Sequence, residues 1–580
     1  MQVDLCVYGP TLAGIAAAIV AARAGKSVAI VCPEPVLGGM LTGGLGITDA
    51  PLSFKNWAGG VVDEFTAGLT ARTGFTFSLY QWCFAASDAQ AVIDGMVSAE
   101  GNVSLHLGER IVSVEQRQVA YFEGMMADAL SRRGAAIAAI VTDVDRYDAQ
   151  VFIDASYDGA LMHKAGVGTR IGREAFDLAR EPYAGVLANG GHTTSRAYDV
   201  VDARGDLTKY GGWRPLEGPG QPDRRSMALG FRNLVTNVPG AGNLGFPAPP
   251  GYDRTDFLDD IARAQAGTLG FFDREVGYDP IYRVRYDAAL AAVHITGFAS
   301  LTQKEREERW LRSDFAGAGL SNTQRLANMM AVRGKFSTNG SDIRGPLAWE
   351  YATSSDARRQ DIRQRLAYRE LGRLHALQND PEVPAATRNN FAAWGLCADE
   401  WQDAYTLRPG WPHEIYQRHG RRLVGQALLD MWSNAYQVNW SDQIAVGSYF
   451  MDSKAKSQFA TPYGGTEFEG HYDVQPFFDA NGTEIRADTY KIFGVPLGAV
   501  VAPRGVCDNL ISAWGISATE VAFSAIRLEP FLSAVGEACG HVAVAAIDAG
   551  LDPATLPYPP VRARLDAAGL TIHRFPPVTA

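Results

Sequence analysis

The chain has few cysteines, no long uncharged apolar run near its start and no surplus of positive charge, and each deficit removes a class of function. Six cysteines (Cys6, Cys32, Cys83, Cys397, Cys507, Cys539) are scattered over 580 residues with no C-x-x-C spacing. An iron–sulfur cluster or a dithiol redox pair therefore lacks its usual signature, and the thiols are expected as core residues. Lys and Arg number 53 against 64 Asp and Glu, a formal charge of −11, which argues against a nucleic-acid groove and its clustered cations. The basic stretch Lys304 to Arg312 is interleaved with glutamates and reads as a solvated helix face. The apolar run Leu12 to Ala22 stops at Arg23, short of a bilayer span, and no basic segment precedes it. No membrane partner is expected, and the location is read as cytoplasmic. The ten histidines show no metal-ligand spacing, and no G-x-S-x-G, H-E-x-x-H or Walker loop occurs, so metal, hydrolase and kinase readings have no support.

What is present begins at once. An apolar strand (Val3, Leu5, Val7), the turn Gly9-Pro10-Thr11-Leu12-Ala13-Gly14, an alanine-rich helix to Ala24 and a second strand from Ser27 to Cys32 form a βαβ opening. Amides at such a helix start can receive a pyrophosphate. A second cluster follows, Gly38-Gly39-Met40-Leu41-Thr42-Gly43-Gly44-Leu45-Gly46. Two such clusters suit a long dinucleotide extended over the sheet edge, since glycine lets main chain approach a phosphate or a flat ring. FAD is the cofactor this predicts. The first turn departs from G-x-G-x-x-G, with Thr11 at the second glycine and Pro10 lacking an amide donor, so a plain βαβ crossover remains an alternative for this segment alone. Cys32 stands where an acid usually holds the adenosine ribose. Glu34 is the substitute expected, its other reading being an exposed loop carboxylate.

At 47% hydrophobic the chain can bury more than one core, and its length suggests about three or four domain-sized units. Val103 to Val114 reads as a strand, Gln116 to Arg133 as a helix, and Ala136 to Val141 and Val151 to Ala155 as strands. Residues 1–175 are the expected first part of a cofactor domain with an inserted meander. Residues 176–340, rich in Gly-Pro connections, are expected to form a mixed α/β substrate domain. Helical spacing from Ser354 to Asp380 and from His413 to Trp432 predicts a helical subdomain over 341–440. Residues 441–550 return to the cofactor domain through a strand Leu510 to Trp514 and a helix from near Pro530 to Gly550, with 551–580 as an extension. The fold class expected is α/β, a discontinuous Rossmann-type FAD domain with an inserted substrate domain and a helical cap. No internal repeat is visible.

Phe152-Ile153-Asp154-Ala155-Ser156-Tyr157-Asp158-Gly159-Ala160-Leu161 ends a strand in small residues. With Gly38 to Asp49, Gly172-Arg173-Glu174, Met227 to Thr236, Trp411-Pro412-His413 to Gly425, Val446 to Ser453 and Pro503 through Asp508-Asn509-Leu510 to Gly540, it carries a resemblance. The chain resembles the FAD-dependent oxidoreductases of the glutathione-reductase-like superfamily, in the branch related to fumarate reductase flavoproteins whose members are often labelled "xanthan lyase". These stretches cover most of the chain in the family's order.

The resemblance implies FAD, covalent or not, in a two-domain flavoprotein. It places Gly9, Thr11, Leu12, Ala13, Gly14, Glu34, Gly38, Gly39, Met40, Leu41, Thr42, Gly46, Ile111, Ala155, Ser156, Gly159, Asp508, Asn509 and Leu510 about the cofactor. A helix start near Pro530 would set a positive dipole end beside the flavin pyrimidine edge. Relatives carry His where Lys454 and Glu520 stand here, and the family's Glu-Pro-His is missing at Phe84-Ala85-Ala86-Ser87. Lys454 and Glu520 are therefore read either as a substituted acid/base couple or as a structural ion pair. Arg232 and Arg527, lone cations in apolar runs, should each meet a carboxylate, a flavin carbonyl or a substrate oxygen. His413 and His471 are further candidates for a base, or satisfied structural histidines. The function implied is a dehydrogenase or oxidase passing hydride from a small polar substrate, a sugar or hydroxylated metabolite, to flavin N5, with O2 or another molecule as acceptor. The alternative is a flavoprotein using FAD without net redox, as in an isomerase or lyase, or as a structural cofactor.

Overall fold

The computed structural model describes residues 1–46, 59–73, 84–120, 133–187, 217–236, 240, 242–267, 335–337, 344–402, 407–435, 438–460, 466–474 and 492–572. The basic stretch 304–312, Cys83 and most of the expected substrate domain lie outside them.

Near-continuous apolar runs such as Val28–Cys32, buried at every position, build strands covered on both faces, as parallel strands flanked by helices require. β1 (Gln2–Tyr8) pairs in parallel with β2 (Val28–Cys32), and β2 with β3 (Val103–Leu107). Leu5 and Val7 enter one core with α1 (Leu12–Arg23), while Cys6 and Tyr8 enter a second on the opposite face. β4 (Ile111–Ala120), β5 (Arg133–Thr142) and β6 (Arg146–Asp154) form an antiparallel meander, and β6 returns to lie parallel with β1. The expected helix from Gln116 is corrected here: Gln116 to Ala120 continues β4 along β5, and residues 121–132 lie outside the described set. Gly108, at φ 75°, breaks the expected strand Val103 to Val114 in two.

The C-terminal portion closes the sheet. β5 pairs with the first residues of β6, and β7 (Leu510–Ser512) pairs with its last, Leu510 opposite Phe152 and Ser512 opposite Asp154. Two helices follow, α4 (Glu520–Ile526) and α5 (Glu529–Ala549). By length and composition α5 is apolar enough to cross a membrane, but nearly all of it is buried in this fold. Gly536 and Gly540 let it lie directly on α1, where a Cβ would collide with the backbone of Ala13 and press on that of Ala17.

A separate core joins apolar residues between Leu229 and Ala264 to others between Ala348 and Ile415. Its helices are α2 (Pro346–Tyr351) and α3 (Asp356–Asn379), the latter capped by Ser355, whose hydroxyl accepts from the Arg358 amide. The expected helix from His413 is corrected: His413 to Arg421 is extended, buried chain threaded between the cores. Its Tyr416 amide bonds to the distant Gly230 carbonyl at 2.8 Å, the Ile415 and Gln417 amides bond locally to the Glu414 carboxylate and the Ile415 carbonyl, and beyond the segment the Leu423 amide bonds to Gly515 O at 2.7 Å. Pro412 and Gly420 explain the difference, since Gly420 packs so closely on the Tyr157 carbonyl that a Cβ would overlap it. Only Met431–Ala435 in this stretch is helical.

Candidate functional site

The strand order β3-β2-β1-β6 reverses direction of travel at β1, so a crevice opens at the carboxyl ends of β1 and β6. A cavity of about 550 Å³ lies there, lined by Tyr8, Pro10, Glu34, Ile111, Ser156, Tyr157 and Asp158 on the sheet side. Thr353 to Ser355 line it from the turn before α3, Asp356, Arg359, Gln360 and Arg363 from α3 itself, and Glu414, Gln417 and Arg421 from the threaded segment.

Gly9 (φ 125°) brings the turn against β6, where a Cβ would overlap the Ala155 carbonyl. Thr11, in place of the second glycine, is the N-cap of α1. Its hydroxyl donates to Ala155 O at 2.8 Å and accepts from the Gly14 amide at 3.5 Å. The opening amides of this helix, Leu12 and Ala13 included, have no intrahelical acceptor, which leaves a positive helix end at the crevice. Gly14 sets helix-to-strand packing, since a Cβ there would lie 2.6 Å from Ala155 Cβ and 2.9 Å from Val7 Cγ1. Glu34 is 3.5 Å from Arg363. The Ile111 amide donates to the Tyr8 hydroxyl at 3.3 Å. Ser156 donates to Asp154, a carboxyl that burial raises to about 6, and Gly159 (φ 64°) caps the short helix after it.

The second glycine cluster folds over the same end of the sheet. Gly38 opens a helical turn through Met40 and Leu41, and Thr42 donates to Leu37 O at 2.8 Å. The Gly44 and Leu45 carbonyls beside Gly46 accept from Ser337. Gly39 (φ 53°) faces the Tyr157 ring, which a Cβ would strike. The Met40 amide donates to the Tyr157 oxygen at 2.6 Å, and that hydroxyl donates to Glu529 Oε1 at 2.6 Å. Burial raises Glu529 to about 8, and its Oε2 has no partner. Glu414 is likewise driven upward by burial and by the neighbouring Glu34 carboxylate. Sequence reading missed Tyr157, Glu414 and Glu529; the Glu-Pro start of α5 was the available signal for the last.

These features fit an extended dinucleotide. The crevice offers a helix N-terminus and cations at Arg110, Lys164, Arg359, Arg363 and Arg421, and behind its Tyr157 wall lie the second glycine cluster, held by the Met40 amide, and a buried Glu529 oxygen without a partner.

Arg232 and Arg527 converge on Tyr416. Arg232 lies 4.7 Å and Arg418 4.3 Å from the ring centroid, and Arg527 donates to the hydroxyl at 2.9 Å. Arg527 also donates to Asp452 at 2.9 Å, and Lys454 lies 3.3 Å from the other oxygen of that carboxylate. These cations hold Asp452 down at about 2 against the burial that opposes them. The expected Lys454–Glu520 couple is thereby corrected. Glu520 pairs instead with Lys456, Nζ to Oε1 2.7 Å with both side chains buried, and accepts from Tyr472 at 2.9 Å. Two lysines two residues apart gave the sequence no means of choosing, and the chain turns after Ser453 so that Lys454 faces outward and Lys456 inward. His413 is buried, and His471 adjoins Tyr472 in the strand facing Met451–Ser453.

Asp508, Asn509 and Leu510 are corrected outright. β7 runs parallel to β6, so they stand at its amino end, with Asn509 about 10 Å, three residues, short of Ser512. Asn509 bonds to both the amide and the carbonyl of Ile137, at 2.7 and 2.8 Å, and Asp508 accepts from the Gly505 amide at 2.7 Å. They stitch the meander to β7.

A family model described as FAD dependent oxidoreductase matches residues 4–565. No curated protein matches the sequence. Similar solved structures include THI4 of Thermovibrio ammonificans, at 17% identity, TM-score 0.22, covering 30% of this chain and 66% of that one. T. acidophilum thioredoxin reductase is 21% identical with TM-score 0.16, covering 27% and 36%. Glycine oxidase from Geobacillus kaustophilus is 12% identical with TM-score 0.20, covering 30% and 63%. The match thus spans less than two thirds of each of these proteins.

Proposed function

The chain belongs to the FAD dependent oxidoreductase family, and from that premise we propose that this enzyme oxidises a small polar substrate by hydride transfer to flavin N5. FAD is its cofactor, and the family implies a small-molecule substrate and an electron acceptor. When bound, FAD supplies the two-electron chemistry, and the protein supplies binding, orientation and protons.

The observation that carries this reading is the crevice at the β1/β6 switch point, flanked by both glycine clusters and by buried titratable groups. Glu414 is the residue assigned to proton transfer. It lines the cavity beside Gly43, and a carboxyl raised toward neutrality accepts and returns a proton at working pH. The Tyr157–Glu529 pair anchors the second glycine cluster through the Met40 amide. The Arg232–Tyr416–Arg527 cluster is assigned to orienting the substrate's polar group, because guanidinium groups on a phenol ring present several fixed donors. Lys454, through Asp452, is assigned to holding Arg527 in place.

Anaerobic titration of the purified protein with sugars, alcohols, amines and hydroxy acids tests the reading. Bleaching of the flavin's visible absorbance by one class supports it, with Glu414→Gln slowing the reduction and shifting its pH profile. A flavin that no member of any class reduces would favour the use of FAD without net redox.

A further inference from the structure

We propose that the helical unit supplies part of the cofactor's anion site, Arg359 and Arg363 of α3 binding the pyrophosphate of FAD opposite the start of α1. The inference rests on the assignment of FAD to the crevice and goes beyond it, because these residues belong neither to the βαβ unit nor to the second glycine cluster.

Arg359 and Arg363 are four residues apart and so share one helix face, and both line the cavity across from Pro10 and Ser156 to Asp158. Arg359 is fixed in place: Nε donates to Tyr351 O and one Nη to Ala352 O, each at 3.1 Å, while the other Nη meets Asp158. Arg363 stands 3.5 Å from Glu34, the carboxylate expected to hold the adenosine ribose. The cation pair is thus set between the ribose end and the turn. Each Arg359 nitrogen has one of these protein partners, and a guanidinium carries five N–H donors, so the group that lines the cavity keeps donors beyond these, and its planar fork suits phosphate oxygens. The Ser355 cap turns the positive end of α3 to the same cavity.

The need for such donors follows from the turn itself. Pro10 has no amide hydrogen, and the hydroxyl of Thr11 is spent on Ala155 O and Gly14. The first turn is short of donors for two phosphate charges, and the arginines across the crevice make up the number. The cofactor then lies between the sheet edge and α3, so binding it ties the two cores together.

The test uses the full-length chain. FAD retention by the purified holoenzyme is measured by equilibrium dialysis over a range of NaCl for wild type, Arg359→Gln and Arg363→Gln. The deflavinated chain is then titrated with ADP and with adenosine. Each variant is expected to bind FAD and ADP about ten- to a hundredfold more weakly, with a shallower salt dependence and little change for adenosine. Wild-type FAD affinity and salt response in both variants would overturn the proposal, as would equal losses for ADP and adenosine, which mark a helix merely loosened. Should either variant fail to fold, hydrogen exchange on the wild type decides: FAD must protect amides over 353–363, and unchanged exchange there overturns the inference. A wild type that binds no FAD would sink the cofactor assignment itself, a different failure from variants that bind as well as wild type.

Discussion

Replacing Lys456 by methionine tests whether the residues at the family's altered positions do structural or chemical work. Lys456 Nζ and Glu520 Oε1 are 2.7 Å apart, with side-chain exposures of 0% and 1%. Lys456→Met keeps the volume and strands a buried carboxylate that retains the Tyr472 hydroxyl at 2.9 Å, the Ser453 hydroxyl at 3.4 Å, His419 Nδ1 at 3.7 Å and the more distant charge of Arg422, itself paired with Glu174. His419 is held neutral by burial and by the cations around it, so it brings no compensating charge. Breaking a buried pair in this way costs about 3–5 kcal/mol, whereas removing both charges is far cheaper. Lys456→Met/Glu520→Gln should therefore recover most of the loss. The pH dependence gives a second signature. In the wild type the neighbouring lysine holds Glu520 below its ordinary value against the pull of burial, so the pair's contribution is present above that ordinary value and is lost on acidification. Without the lysine, burial raises Glu520, and the variant's deficit should grow as pH rises instead. Urea unfolding followed by tryptophan fluorescence, at several pH values, measures both. A single variant as stable as wild type, or a double variant no better than the single, would refute the reasoning. A lost reduction rate with unchanged stability would return the pair to a chemical role.

Other outcomes follow from the site. Glu34→Ala should weaken FAD binding about ten- to a hundredfold, as expected for losing a charge-assisted bond to ribose; an unchanged affinity in titration would mean the ribose is held elsewhere. Glu529, raised to about 8 from an ordinary 4.5, keeps its proton in the folded chain while the unfolded chain releases it, so stability falls as pH rises from about 4.5 through 8. At about 1.4 kcal/mol per unit the ceiling is roughly 5 kcal/mol, and Glu529→Gln should flatten the upper part of the melting-temperature profile; a parallel profile would contradict the burial argument. Gly14→Val should lower melting temperature as well as flavin content, because the side chain wedges α1 off Ala155 and Val7. Flavin loss from that variant at unchanged stability would argue for direct contact instead.

The sequence made the βαβ opening legible because its apolar period of two, glycine turn and alanine-rich helix all point to one local structure. The long α5 was legible from Pro530 and Gly550, which bound it. Other features depended on register and tertiary packing, which no local pattern encodes. The segment from His413 carries apolar residues at helical spacing because it is buried on every side, and Gly420 is needed there for close approach to Tyr157. Asp508 and Asn509 sat correctly beside a strand, but only the pairing of β7 with β6 shows which end of that strand they occupy. Lys456 and Glu520 are 64 residues apart and meet only because Met451–Ser453 packs beside α4. The arginines of α3 look like an ordinary charged helix face until α3 is seen to wall the crevice.

The central claim is that the crevice between β1 and β6, closed by the second glycine cluster, holds FAD. Its most direct test is the flavin released by denaturing purified wild type and Gly39→Val, identified against FAD and FMN standards and compared with protein concentration. A valine at position 39 would strike the Tyr157 ring that orders the cluster through Met40. The account predicts stoichiometric FAD from the wild type and little or none from a Gly39→Val protein whose circular dichroism remains native. A folded wild type without FAD, or a Gly39→Val protein with a full complement of it, would contradict the account.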